Sequence, residues 1–188
     1  VTLFLLNGWS RKTIVATLAT CVGVIISGVI FYLISNLLNI SGFNLDEAES
    51  LILIAQNTGL KIRDILFSGI LISSLGAVMD VAMSIASSIY EINELNSDLD
   101  MKTIFNSGIN IGRDMIGTMS NTLILAFAGT SLSTMLALYS YNTQFNQLMS
   151  SDFIAIEFAQ SISGSIGIIL AVPITSVISA YVYKKKIR

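Results

Sequence analysis

Histidine is absent from this 188-residue chain, and cysteine, proline and tryptophan occur once each. Without histidine the commonest general base, the commonest metal ligand and every Ser-His or Cys-His nucleophile pairing are missing. Most hydrolase chemistry is thereby excluded, and the chain reads as no enzyme, with no metal and no cofactor. The single cysteine, Cys21, lies within an apolar run, so neither an internal disulfide nor a thiolate cluster can form. Charge is scarce as well: 12% of the residues are charged, against roughly 25% in soluble domains. Hydrophobic residues make up 53% and the mean hydropathy is +0.76, which excludes a soluble globular protein. A net charge of -2 offers no polybasic surface, so nucleic acid is not a partner.

What charge there is avoids three long runs, Thr13 to Leu45, Met115 to Ser151 and Phe158 to Tyr183. Each exceeds the roughly 20 residues of apolar helix that cross a bilayer core of about 30 Å. The chain therefore reads as an all-α, polytopic helical membrane protein and a single membrane domain over 1–188. Four spans are expected, at about 13–38, 65–90, 116–140 and 153–183. Between the first two, Asn44 with Glu47 resembles a capping box, followed by Asp46, Glu47 and Glu49 in a first helical turn. An amphipathic helix lying on the membrane surface is expected from Asp46 to about Thr58. The polar segment Glu91 to Met115 reads as a loop, and Tyr141 to Ser151 as a short loop on the other side. Val1 to Leu6, followed by Trp9 and Arg11-Lys12, looks like the tail of a membrane helix begun upstream, so the chain reads as the C-terminal part of a longer protein.

Four spans put both ends on one side. That side then holds Arg11, Lys12, Lys102, Arg113, Lys184, Lys185, Lys186 and Arg188, with only Lys61 and Arg63 opposite. Basic residues accumulate on the cytoplasmic side, so both ends are expected there.

The second span carries one charge, Asp80, near its middle. Ser73, Gly76, Asp80, Ser84, Ser87 and Glu91 follow the 3-4 spacing of one helix face, making that face small and polar. An ionised carboxylate at the bilayer centre costs about 2.5 to 3.5 kcal/mol on insertion scales, so it must meet protein or water. Asp80 reads either as a contact for an ion, a proton or a substrate in a polar path, or as a hydrogen-bonded carboxyl joining helices. A second stripe, Asn110, Asp114, Gly117 or Thr118, and Asn121, enters the third span, with Gly108 and Gly112 as a small-xxx-small pair. Arg113 is the basic residue nearest these carboxylates, so it reads as a counter-ion for Asp114 or Asp80, or else as a headgroup-level charge beside Asp114. In the fourth span Glu157 reads as a carboxylate snorkelling to the interface, and Pro173 as a kink that frees a backbone carbonyl.

Leu75-Gly76-Ala77-Val78-Met79-Asp80-Val81-Ala82-Met83-Ser84-Ile85-Ala86-Ser87, with Glu91 one turn on, resembles the signature of the YibE/F-like family of bacterial multi-spanning membrane proteins. Ser107-Gly108 to Asp114, Gly117-Thr118-Met119, Asn121 to Ala126, and Gly164 to Pro173 are similar to its later motifs. The resemblance implies upstream spans or a companion membrane subunit, a place in the bacterial inner membrane, and permease-like behaviour.

Two functions compete on this reading. One is a permease or secondary-transporter-like subunit whose polar path runs along Asp80, Ser84, Ser87, Glu91, Asn110, Arg113, Asp114, Thr118 and Asn121. The other is a non-transporting scaffold whose polar stripes bind partner helices. The partners expected are the lipid bilayer, upstream spans or a companion subunit, and a second copy of the chain in a homo-oligomer. An intramembrane aspartyl protease would need a second Asp at the depth of Asp80, and Asp114 reads as too near the interface for that.

Overall fold

The computed structural model describes residues 2–37, 62–96, 98–140, 146–147 and 152–184. Nearly all of these residues are helical, with no strand among them. The elements are α1 (Thr2–Asn7), α2 (Arg11–Leu37), α3 (Ile62–Leu95), α4 (Met101–Thr130), α5 (Leu132–Ser140) and α6 (Asp152–Lys184). Gly8 ends α1 at φ 69°, where a side chain would be strained, and its N–H bonds the Phe4 carbonyl at 3.0 Å. Ser10 then caps α2, its Oγ accepting from the Thr13 N–H at 3.3 Å.

Among the described residues three helices are long and apolar enough to cross a membrane: Arg11–Leu37, Phe67–Leu95 and Ile154–Lys184. They match the first, second and fourth expected spans. The third is a correction. The segment expected as a loop from Glu91 is helix almost throughout, because α3 runs to Leu95 and α4 begins at Met101 behind the N-cap Asp100. Helix persists there because Ile104, Gly108 and Gly112 keep a four-residue spacing toward the bundle while the charges lie on the other side. Nor is 116–140 one helix. Thr130 Oγ1 and Ser131 Oγ both donate to the Phe127 carbonyl, at 2.9 and 2.7 Å, and Ser131 caps α4. Hydroxyls competing for one carbonyl beside Gly129 are a natural break point. The surface helix expected over Asp46 to Thr58 lies outside the described residues, as does most of the loop 141–151.

Helix α6 is central and packs on α2, α3 and α4, while α3 also touches α2 and α4. Close packing along α6 depends on small residues. A Cβ on Gly23 would meet Val78, one on Gly167 would meet Ser27, and one on Gly164 would meet Leu123. Gly108 lies against Ser176 and Ile89, and Gly112 against Val172 and Ile85. Lipid gives helices no hydrophobic reason to associate, so dispersion between closely approaching backbones carries the packing. Ser27 Oγ adds a hydrogen bond across helices to the Ser163 carbonyl at 3.1 Å. Other buried hydroxyls are satisfied within their own helix, as where Thr175 bonds the Ala171 carbonyl and Ser176 that of Val172. Helix α6 continues through Pro173.

These contacts also set direction. Gly23 opposes Val78 and Gly28 opposes Leu71, so α2 and α3 are antiparallel. Val78 meets Gly167 and Tyr90 meets Tyr183, with ring centroids 6.2 Å apart, so α3 and α6 are parallel. One end of the bundle thus gathers the start of α2, the α3–α4 turn and the end of α6. There Lys184 pairs with Asp100 at 3.6 Å and Lys12 lies over the Tyr90 ring at 5.7 Å. The first and last described residues sit at that same charged end, as an even number of bundle helices requires.

Candidate functional site on the outer face of α3 and α4

The α3 stripe points away from the bundle. Val78, Val81, Ile85 and Ile89 are buried in the core, whereas Ser73, Gly76, Asp80 and Glu91 are exposed, and Ser84 and Ser87 are partly covered. The α4 stripe does likewise: Ile104, Gly108, Gly112 and Leu123 are buried, while Asn110, Arg113, Asp114, Gly117, Thr118 and Asn121 are exposed. Among the described residues nothing lies within 4 Å of where a Cβ would stand on Gly76 or Gly117. The path expected between helices is therefore not enclosed by this bundle. It lies on an outer face that the described residues leave open.

Register then decides depth. Ile89 meets Gly108 and Ile85 meets Gly112, so α3 and α4 run antiparallel. Extending that pairing puts Ser84 level with Arg113 and Asp80 level with Gly117 and Thr118. The axial offset between Asp80 and Arg113 or Asp114 is then only about 6 Å, or less, at 1.5 Å rise per residue. Asp80 itself stands roughly 27 Å from the start of α3 and roughly 22 Å from its end by the same rise. Arg113 and Asp114 thus belong to the middle of the bundle. Relative to the bundle, Asp114 therefore stands closer to the level of Asp80 than the sequence reading expected. The sequence misleads here because a cluster of charges is an ordinary mark of a loop, and only the seating of Gly112 on Val172 reveals how deep it sits.

Two carboxylates and one guanidinium consequently share one depth, all facing outward. Among the described residues Arg113 pairs with neither Asp80 nor Asp114; the ion pair found there is Lys184 with Asp100, at the charged end. The expected role of Arg113 as counter-ion within this chain is therefore not realised. Ser87 and Asn110 lie one turn nearer the charged end, and Asn121 and Gly76 one turn farther from it. Glu91 sits at the charged end, beyond the apolar stretch, so it marks the mouth of such a path and not its centre. Local hydroxyls on this face turn inward on their own helices: Ser73 Oγ bonds the Gly69 carbonyl at 3.0 Å and Thr122 Oγ1 that of Thr118 at 2.8 Å.

A second feature was not legible as a site. A cleft of about 460 Å³ lies between the last turns of α4, the start of α5 and the first half of α6. Glu157 lines it half-buried, with Oε2 shielded from solvent, which differs from a side chain snorkelling into water. Its signal in the sequence was Gly129-Thr130-Ser131, where the helix breaks.

The profile of the YibE/F-like protein family matches residues 1–185. The chain belongs to the YibE/F-like family. No curated protein and no solved structure matches it. The match covers the stretch around Asp80 and the second polar stripe alike. In this YibE/F-like protein the stretch around Asp80 forms an outer face at mid-depth, with its small residues Gly76 and Ser84 beside the acid.

Proposed function

We propose that this YibE/F-like protein is a permease or secondary-transporter-like subunit of the bacterial inner membrane, whose polar path is completed by protein beyond the described bundle. The observation that carries this reading is the alignment of Asp80, Arg113 and Asp114 at one depth on the open face of α3 and α4. Charges at that depth cannot rest against acyl chains, so they meet either a protein surface or a water-filled cavity. An upstream segment, a companion subunit or a second copy of the chain would supply the other wall. Asp80 is the element that changes state. Protonation or cation binding removes its charge, and a neutral carboxyl costs far less in hydrocarbon than an ionised one. No covalent chemistry is assigned to the site. Arg11, Lys12, Lys102 and Lys184 cluster at the end holding both termini of the bundle, which supports a cytoplasmic location for that end.

The exposure of the same stripes also favours a scaffold that binds partner helices through them, and one pair of variants separates the two. Asp80→Asn retains hydrogen bonding but cannot titrate, whereas Asp80→Leu removes the polar partner altogether. Proteoliposomes on a solid-supported membrane, challenged with Na⁺ and pH jumps, should give transient currents that vanish in Asp80→Asn while its detergent size-exclusion profile stays normal. Unchanged currents in Asp80→Asn, with dissociation of the assembly in Asp80→Leu, would overturn the transport role and favour the scaffold.

A further inference from the structure

The cleft at the α4–α5 break differs from the Asp80 face in position and in chemistry. On α6 it spans Ile154 to Ile166, and Glu157 lies roughly 18 Å along the helix from the level of Asp80 at 1.5 Å per residue. Its volume of about 460 Å³ falls in the range of roughly 300 to 1,000 Å³ usual for small-molecule sites. Its walls are largely apolar, with Phe127, Phe158 and Ile162 among them, and Glu157 is the one ionisable side chain lining it among the described residues.

The hydrogen bonding of Glu157 is incomplete. Oε2 is buried without a partner among the described residues, and Ser131 lines the same cleft. Ser131 has a single proton, and it is directed to the Phe127 carbonyl at 2.7 Å. An ionised Glu157 therefore lacks a strong donor from the bundle. Two arrangements satisfy it: a proton on the carboxyl, donated to Ser131 Oγ, or a cation in the cleft. A small hydrated metal ion would need about six oxygen ligands, which these walls do not offer. A cation of diffuse charge carried on an apolar body suits them, since it has little hydration to lose and can lie against Phe127 and Phe158.

We infer that this cleft is a binding site for amphiphilic monovalent cations, with Glu157 as counter-charge and a proton as competitor. Among the described residues no other titratable or charged side chain lines the cleft, so the competition is assigned to Glu157. The site goes beyond the transport reading, and it can exist whether or not the Asp80 face conducts anything.

Tetraphenylphosphonium is a suitable probe, with neutral triphenylphosphine oxide as its uncharged counterpart. Equilibrium dialysis of the purified protein in maltoside should show saturable tetraphenylphosphonium binding at one site per chain, weakening as the pH falls from 8 to 4. Glu157→Gln should lose at least tenfold in affinity and also lose the pH dependence. The pH series on the unaltered protein keeps the test valid if that variant fails to fold. Equal binding of the phosphine oxide, binding insensitive to pH, or no saturation at millimolar probe would overturn the proposal and leave an apolar groove suited to acyl chains.

Discussion

On the side of α4 that meets α6, Gly108 and Gly112 lie so close to Ser176 and Val172 that a methyl group has no place to go. On the opposite side Gly117 faces open space, beside Arg113 and Asp114 at the middle of the bundle. One face excludes everything larger than hydrogen and the other presents charge that no described residue pairs. The contrast shows where this chain is finished and where it is not. The inner seam is complete, held by close approach and a few hydroxyl bonds, whereas the outer face carries groups that no lipid can satisfy. Helix α4 does not qualify as a membrane span by apolarity, unlike α2, α3 and α6, although it packs along α6 from Gly108 to Leu123.

The largest expected effect comes from breaking the finished face. Gly112→Leu would drive a side chain into Val172 and Ile85, and overpacking of this kind costs up to about 3 kcal/mol or more. Purified protein should lose its monodisperse size-exclusion peak; a normal peak with unchanged melting would show that α4 is not seated as described. Next is Arg113→Met on the open face. If partner carboxylates cover it, removing the guanidinium strands a buried charge at a cost of about 3 to 5 kcal/mol. Native mass spectrometry should then show the assembly lost while circular dichroism keeps the helices, and an intact assembly would argue that this face meets water.

Gly117→Leu sharpens the comparison more gently. Its surroundings are empty, so the bundle itself should change by no more than about 0.5 kcal/mol, the usual range at open positions. Cross-linking efficiency between partners should nevertheless fall, and unchanged cross-linking would mean that nothing packs at this level. The smallest effect is Ser27→Ala, which removes the hydrogen bond to the Ser163 carbonyl. Polar contacts between membrane helices average about 0.6 kcal/mol, so a shift of a degree or two in detergent melting is expected, and a loss of folding would place unexpected weight on that bond.

The helical class and three of the spans were legible because apolar length is a local property of the chain. The polar face of α3 was legible too, since Ser73, Gly76, Asp80, Ser84 and Ser87 recur at the spacing of a helix. The third span was not. Charges at Glu91, Glu94, Asp98 and Asp100 blurred the close of one helix into the start of the next, and the short break between Leu95 and Met101 hid inside a polar stretch. Glu157 was misjudged for a related reason: its cover comes from the end of α4 and from α5, which are distant in sequence.

By itself the sequence determined that this chain lives in a membrane, that its helices carry small residues for close packing, and that one acid stands in the middle of a span. Those are consequences of composition and of the 3.6-residue period. Tertiary structure alone decided that Arg113 and Asp114 share the depth of Asp80, because depth follows from which residue of α4 seats against Val172 and Ile85. It also decided that the polar stripes look outward, since a helix shows in its sequence that two faces differ but not which neighbour each face will meet.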